Sequence, residues 1–248
     1  MLAIYKKEML SYFTNPIGYV FSGIFLLFSA FVCCFTTLLS QSYDTSLYFT
    51  IMIFALAVII PILTMRLFAE ERKMRTEQLL LTAPISLIGM VTGKFLAAFT
   101  LYFGNILLSC INFIPLYAIA AKERAGSSYA STNIGPVTSE IIGCVIGIIL
   151  IGAAFIAIGT FISSLTENQL AASVITIAVI LVFICIGFIS SLIDAQWIRI
   201  IIDFFSVLSR FDNFSAGIFD FAALLYYASV CFVFLFLTVR VYEKRRWG

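Results

Sequence analysis

Charged residues are scarce in this chain and histidine is missing. Of its 248 residues only 11% are charged, none is histidine and 62% are hydrophobic. A soluble domain has roughly 25% charged and 45–50% apolar residues, so we expect an integral membrane protein. The missing histidine excludes the commonest general base and the commonest metal ligand. We therefore predict no catalytic residue and no metal site. A net charge of +2 is too small to indicate a nucleic-acid partner.

Charge is absent altogether from six long stretches. Asp, Glu, Lys and Arg are missing from residues 9–43, 45–65, 95–121, 141–166, 168–193 and 221–239. Crossing a bilayer takes about 20 residues of helix, and continuously apolar stretches favour helices over a barrel. We predict an all-α protein with a single transmembrane domain, residues 1–248. The six predicted spans are approximately residues 17–39, 47–65, 87–120, 139–163, 169–190 and 219–239. The number of spans would be five or seven only if residues 194–219 were interpreted wrongly.

The basic residues divide unevenly between the two ends of these spans. If the N-terminus is inside, eleven of the fifteen are cytosolic: Lys6, Lys7, Arg66, Arg72, Lys73, Arg75, Lys94, Arg240, Lys244, Arg245 and Arg246. The four external ones are Lys122, Arg124, Arg199 and Arg210. Loops rich in Lys and Arg stay in the cytosol. We therefore predict cytosolic termini and a location in the lipid of the inner (cytoplasmic) membrane.

The densest charge lies in FAEERKMRTEQLLLTAPIS, residues 68–86, between spans 2 and 3. Its acidic residues precede its basic ones, the order that the helix dipole and i,i+4 pairing favour. Leucines at 79–81 make the predicted helix, Phe68–Ala83, amphipathic, and Pro84 ends it. A solvated loop is one interpretation, and docking on a separate cytosolic motor protein is the one we favour. The predicted docking residues are Phe68, Glu70, Glu71, Arg72, Lys73, Arg75 and Glu77.

The first fourteen residues are also amphipathic. We predict a helix lying in the cytosolic membrane interface, with Lys6 and Lys7 toward water, and a break at Asn15-Pro16. The alternative is that these residues are the first turns of span 1. The residues predicted to face lipid are Ile4, Met9, Leu10 and Phe13.

A polar stripe lies between spans 5 and 6. Arg199, Asp203, Ser206 and Arg210 recur at intervals of four, three and four, as on one face of a helix. The other faces are apolar, so we predict an amphipathic helix at, or dipping into, the outer surface.

Span 3 carries three polar residues on one helical face, Asn105, Ser109 and Asn112. Polar side chains in a membrane usually face the bundle. They either line a path or bond between helices, and we favour bonding as the commoner use. In span 4, Gly143 and Gly147 form a GxxxG step that predicts close helix packing.

No segment fits a phosphate-binding loop, which needs the pattern G-x-x-x-x-G-K-[ST]. The nearest match, GMVTGKF, is one residue short and has Phe95 where the hydroxyl belongs. We interpret Lys94 in this match as an interfacial anchor. We expect no enzyme activity and no cofactor in this chain.

Several stretches carry a family resemblance. They are IYKKEMLSYFTNPIGYVF at 4–21, residues 68–86 followed by GKFLAAF, RFDNFSAGIFDF at 210–221 and VYEKRRW at 241–247. The chain resembles the permease subunits of type 2 ATP-binding-cassette (ABC) exporters. Within that family it is most similar to the branch of the gliding-motility permease and the permease of nitrous-oxide-reductase maturation.

The resemblance implies a division of labour. Two permease subunits, identical or related, line a translocation path, and two cytosolic ATPase subunits beneath them bind ATP and Mg²⁺. Residues 1–14 and the coupling helix between spans 2 and 3 would touch the ATPase, and residues 191–215 would form re-entrant outer helices.

The expected function is ATP-driven export of an unidentified substrate by alternating access. The alternative is a membrane anchor or mechanotransmission scaffold that an ABC ATPase works without solute transport. An ion-driven secondary transporter would need carboxylates in mid-span, and the predicted spans have none.

Overall fold

A computed structural model describes residues 1–40, 42–78, 86–126, 135–192, 197 and 206–247. Every regular element in these ranges is a helix. The α-helices are α1 (Leu2–Thr14), α2 (Pro16–Cys33), α3 (Ser46–Thr64), α4 (Ala69–Lys73), α5 (Leu87–Ser109), α6 (Ile114–Gly126), α7 (Thr138–Leu165), α8 (Gln169–Leu192), α9 (Leu208–Ser215) and α10 (Phe221–Trp247). A π-helical turn, Cys34–Leu38, continues α2.

Six helical stretches in the described part of the chain are long and apolar enough to cross a membrane. They cover Pro16–Leu38, Ser46–Lys73, Leu87–Arg124, Thr138–Leu165, Gln169–Gly187 and Phe221–Arg246. The prediction of an all-helical protein with six spans is thereby confirmed.

The helix α7 lies at the centre of the bundle, in contact with α3, α5, α8, α9 and α10. It is apolar on all sides, as expected of a helix inside a bundle, and more than half of its residues are buried. A Cβ at Gly152 would lie 2.3 Å from Tyr102 Oη. One at Gly159 would lie 2.3 Å from Thr64 Oγ1. Because these two glycines have no side chain, α5 and α3 can approach the backbone of α7 closely.

The predicted third span, residues 87–120, is not one regular helix. After Ser109 the chain forms a 3₁₀ turn, Cys110–Phe113, before α6 begins. Pro115 explains the turn, because proline has no N–H for the Ile111 carbonyl and its ring crowds that carbonyl in an α-helix. The turn interrupts the α-helix within the predicted span, and the whole stretch is long and apolar enough to cross a membrane.

A second proline separates α1 from α2, as the sequence predicts. Asn15 has an extended backbone with a ψ of 149°. Pro16 then takes the first position of α2, where the missing N–H interrupts no intrahelical bond. The break lets α1 leave the line of α2 and pack along α5 as well.

One face of α1 is buried against α5. The sequence places Ile4 on the side that faces lipid, but its side chain is buried. A Cβ at Gly93 would lie 3.4 Å from Ile4 Cβ, so the glycine makes room for it. The lipid-facing prediction is therefore wrong for Ile4, while Leu10 and Phe13 on another face are exposed.

The helices α9 and α4 contact opposite ends of α7. At one end, a Cβ at Gly143 would lie 2.5 Å from the Phe214 carbonyl oxygen, so α9 rests directly on the α7 backbone. At the other end, Ser163 Oγ accepts a hydrogen bond from the Ala69 N–H at 3.2 Å. The length of α7 therefore separates these two surfaces of the bundle.

The predicted stripe between spans 5 and 6 is described only in part. Arg199 and Asp203 lie outside the described residues. The Arg210 guanidinium lies 4.3 Å from the centre of the Tyr226 ring. The next residue along α9, Phe211, is buried, so α9 dips into the bundle with its apolar face.

We expect Gly152→Ala to destabilise the bundle. Its methyl group would overlap the Tyr102 ring, and overpacking of this kind costs about 1–3 kcal/mol. Gly104→Ala is the matched control, because no atom lies within 4 Å of a Cβ there. Thermal unfolding in detergent should show a lower midpoint for Gly152→Ala than for the control. Equal midpoints would contradict the close contact.

Candidate functional site

The charged stretch after α3 is not one continuous helix. The helix α4 has only five residues, and beyond it Arg75 has a φ of 56°, in the left-handed region. Helical structure resumes at Glu77 and Gln78. The prediction of a single helix over Phe68–Ala83 is therefore wrong in its middle. Residues 79–83 of that prediction lie outside the described part of the chain.

Two backbone hydrogen bonds end α4. The Thr76 N–H donates to the Glu71 carbonyl at 2.9 Å. The Arg75 N–H donates to the Arg72 carbonyl at 3.1 Å. Together these bonds form a Schellman motif, whose left-handed position is usually glycine. Arginine in that position gives no such signal, so the sequence does not reveal the turn. We call residues 65–78 the charged segment.

The hydroxyl of Ser163 in α7 holds the start of α4. Its oxygen accepts hydrogen bonds from the N–H groups of Phe68 and Ala69, each at 3.2 Å. The same hydroxyl donates to the Met65 carbonyl at 3.3 Å. The first N–H groups of a helix need such acceptors, and here another helix supplies one. The end of α7 therefore fixes where the charged segment begins.

Phe68, which the sequence predicts to be a docking residue, faces the interior of the protein. Its side chain is 1% exposed, and its ring centre lies 5.0 Å from that of Tyr242 in α10. The Lys94 ammonium lies 4.9 Å from the same ring centre. Phe68 therefore anchors the charged segment to the bundle.

Lys94 is buried beneath the charged segment. Its side chain is 1% exposed, and Nζ lies 2.9 Å from a Glu71 carboxylate oxygen and 3.2 Å from one of Glu8. Nζ also donates to the Leu67 carbonyl. The interpretation of Lys94 as an interfacial anchor is therefore wrong, because its charge is turned inward and compensated there. We call Glu8, Glu71 and Lys94 the Lys94 junction; it joins α1, α4 and α5.

The inner face of α1 carries Glu8 to the junction. Glu8 lies one turn from Ile4 and one turn from Tyr12, which are both buried. Burial raises the pKa of the Tyr12 phenol far above its usual value, and the Glu8 carboxylate adds to the effect, so the phenol stays neutral. Both predicted interfacial lysines, Lys6 and Lys7, are exposed. The ammonium of Lys7 lies 3.2 Å from Glu71 and so extends the junction to the surface.

A second group of charges ties the charged segment to α7 and α10. The Arg72 guanidinium lies 2.9 Å from a Glu167 oxygen, in the loop between α7 and α8. It also donates to the Leu165 carbonyl at 2.9 Å. Arg245, near the end of α10, lies 3.0 Å from Glu77. Its guanidinium donates to a carbonyl of α7 as well.

The tip of the charged segment points outward. Of the seven predicted docking residues, Lys73 and Arg75 are the exposed ones. Met74 between them is 68% exposed. Glu70 is held by Arg66 through two hydrogen bonds of 2.7 and 3.0 Å. The structure thus divides the predicted set into inner residues that brace the segment and a basic, partly apolar tip.

The braces themselves are not apparent in the sequence. Ser163, Glu167 and Arg245 lie in short polar stretches at or just beyond the ends of apolar helices, and Glu8 lies in another amphipathic stretch. Their position at span ends is the one available signal. Their role depends on partners up to 168 residues away.

The polar stripe of span 3 bonds to span 1. Asn105 Nδ2 donates to Ser22 Oγ at 3.0 Å. Asn112 Nδ2 donates to Ser29 Oγ at 2.9 Å. Ser109 bonds to a carbonyl of its own helix. Two of the three residues therefore join α2 to the third span, which favours helix packing over a path for substrate.

Comparison with known families identifies the chain. The family described as ABC-2 family transporter protein matches residues 40–240. The chain belongs to this family. As an ABC-2 permease it is the membrane component of a transporter. Permeases of this family in general work with an ABC ATPase. The match includes the charged segment and most of α10, but not α1. A search among curated proteins found no match.

We expect Phe68→Ala to destabilise this ABC-2 permease. Replacing a buried phenylalanine by alanine costs about 3–5 kcal/mol, and the cavity would lie between Tyr242 and Lys94. Met74→Ala, six residues away at the exposed tip, is the control and should leave stability unchanged. Thermal unfolding in the same detergent compares the two. Similar loss in both variants would show that the tip is also packed inside the protein.

Proposed function

We propose that this ABC-2 permease is the membrane-spanning part of an ATP-driven exporter. Its charged segment receives force from a separate ATPase that binds ATP and Mg²⁺ in the cytosol. One observation supports this proposal above all. The charged segment is braced on several helices, and its exposed tip is basic and apolar. Such a tip suits a partner surface with carboxylates around an apolar depression.

The braces explain how a push on the tip would reach the spans. Ser163 connects the segment to α7, the Lys94 junction connects it to α5 and α1, and Arg245 connects it to α10. Since these contacts are short and mostly charged, displacing the segment without the helices would leave buried groups unpaired. The helices and the segment are therefore expected to move together, as alternating access requires.

The loop between α7 and α8 extends the docking surface. Arg72, Lys73, Arg75, Glu167 and Asn168 line one open notch beside the tip. The ion pair between Arg72 and Glu167 holds the loop against the segment. We propose that the ATPase contacts both sides of this notch.

The distribution of charge supports a cytosolic location for this end. The charged segment, the start of α1 and the end of α10 lie together, and they include most of the basic residues of the chain. The other end, with α9, has few. By the positive-inside rule both termini would lie in the cytosol, with the chain in the cytoplasmic membrane.

The complete assembly would contain two permease subunits and two ATPase subunits. A second copy of this chain, or a related chain, would form the other half of the translocation path. Within the family we assign the chain to the branch of the gliding-motility and nitrous-oxide-reductase-maturation permeases. The basis is the stretches around Pro16, the charged segment and residues 210–221.

Reversing the charge of the tip should weaken ATPase binding. We expect Lys73→Glu with Arg75→Glu to raise the Kd of the cognate ATPase by about tenfold or more, since like charges would then face each other. Lys122→Glu with Arg124→Glu is the charge-matched control, because both residues are exposed at the opposite end. Binding to the permease in nanodiscs, at low and physiological salt, measures the change. An unchanged Kd for the tip variant would contradict docking there.

Reversal of Glu71 and Arg72 should have a different effect. Both side chains brace the segment from within, so we expect lower stability and uncoupled ATP hydrolysis rather than a simple loss of affinity. Measuring the hydrolysis rate of the complex together with its unfolding midpoint separates the two effects. Unchanged co-purification and unchanged hydrolysis in these variants would count against the proposal.

The orientation can be tested with a thiol reagent that does not cross membranes. In a background without the six native cysteines, the reagent added to intact cells should label Lys122→Cys and spare Lys73→Cys. Both positions should react once the cells are opened. Labelling of Lys73→Cys in intact cells would place the charged segment outside and refute the proposed function.

A further inference from the structure

The Lys94 ammonium has three close partners. It donates hydrogen bonds to a Glu8 carboxylate of α1 at 3.2 Å and to the Leu67 carbonyl, and it forms an ion pair with a Glu71 carboxylate of α4 at 2.9 Å. The ring of Phe68 lies beside the same group. Lys94 therefore keeps all three partners only while α1 and the charged segment both stay in place against α5.

The burial of Lys94 restricts the relative positions that α1, α4 and α5 can take. A buried ammonium is tolerated when it is paired and hydrogen-bonded, and losing a partner leaves an uncompensated charge. Because α5 carries the lysine, any movement of α1 away from the charged segment separates a charge from its partner. The three elements therefore have one favourable relative position instead of a continuous range.

We propose that Lys94 is a positioning residue that locks α1 to the charged segment, so that α1 belongs to the force-transmitting unit. α1 also contacts α5 through a hydrogen bond of 3.2 Å from the Tyr5 hydroxyl to Thr100, and it leads into α2 at Pro16. A displacement of the charged segment would thus reach span 1 through α1. This consequence rests on the proposed function, whereas the lock itself does not.

The lock can be tested on the permease alone in nanodiscs by hydrogen–deuterium exchange. We expect Lys94→Met to speed exchange about tenfold or more in both residues 2–14 and residues 69–73, because both carboxylates lose their buried partner and keep only the exposed Lys7. Glu8→Gln should speed exchange in residues 2–14 and leave residues 69–73 unchanged, since Glu71 keeps Lys94. In residues 2–14 the double variant should be no faster than Lys94→Met.

The control is Arg240→Met, which breaks the exposed ion pair with Glu243 inside α10 and should change neither segment. Additive effects of Glu8→Gln and Lys94→Met on residues 2–14, or no effect of either, would overturn the lock. If Lys94→Met does not fold, Glu8→Gln alone decides. A change confined to residues 2–14 supports the lock, and no change overturns it.

The role of α1 in coupling is tested with the ATPase that co-purifies with the wild-type permease. We expect Glu8→Gln to lower permease-stimulated hydrolysis about fivefold or more while the Kd of the ATPase stays the same. Unchanged hydrolysis would remove α1 from the force-transmitting unit and leave the proposed function standing. If no ATPase binds the wild type, the proposed function fails, and the exchange pattern still decides the lock.

Discussion

One buried ammonium holds three helices together at the charged end of this ABC-2 permease. Helices in a membrane gain little from hydrophobic association, because lipid tails are as apolar as their own side chains. Specific polar contacts and shape therefore decide how they are placed. Lys94 supplies the polar contact, since its charge in the interior is compensated by Glu8 and Glu71 beside it. The order of this end depends on that pairing.

Shape supplies the other constraint, along α7. Its 28 residues extend about 40 Å, from the contact with α9 to the contact with α4. Gly143 and Gly152 let a backbone and an aromatic ring approach closer than any side chain would permit. Ser163 then binds the backbone at the start of the charged segment. A single closely packed helix thus connects the two ends of the bundle.

These constraints decide which charges of the segment face inward and which face outward. Glu71, Arg72 and Glu77 hold the segment to the bundle, so Lys73, Met74 and Arg75 are left exposed at its tip. The tip is basic and apolar, while the inner charges brace it against the bundle. Stiffness matters for coupling because a loose segment would absorb a push without moving the spans.

The errors of the sequence analysis share one cause. Lys94 looks like an interfacial lysine because its two carboxylate partners are distant in the chain. Arg75 occupies the left-handed position at the end of α4, where a glycine would have indicated the helix end in the sequence. Ile4 fits a lipid-facing pattern in the sequence, but the missing side chain of Gly93 leaves space for it in the interior. In each case the local signal is correct for an isolated helix, and a contact with another helix overrides it.

The sequence by itself determined the membrane location, the six spans and the break at Pro16. Those features follow from hydrophobicity over about 20 residues and from the backbone limits of proline, which are local properties. The tertiary structure alone decided which charges are braces and which are exposed, and where α4 ends. That information depends on which side chains meet after the spans have packed, and the spacing of residues along one helix does not contain it.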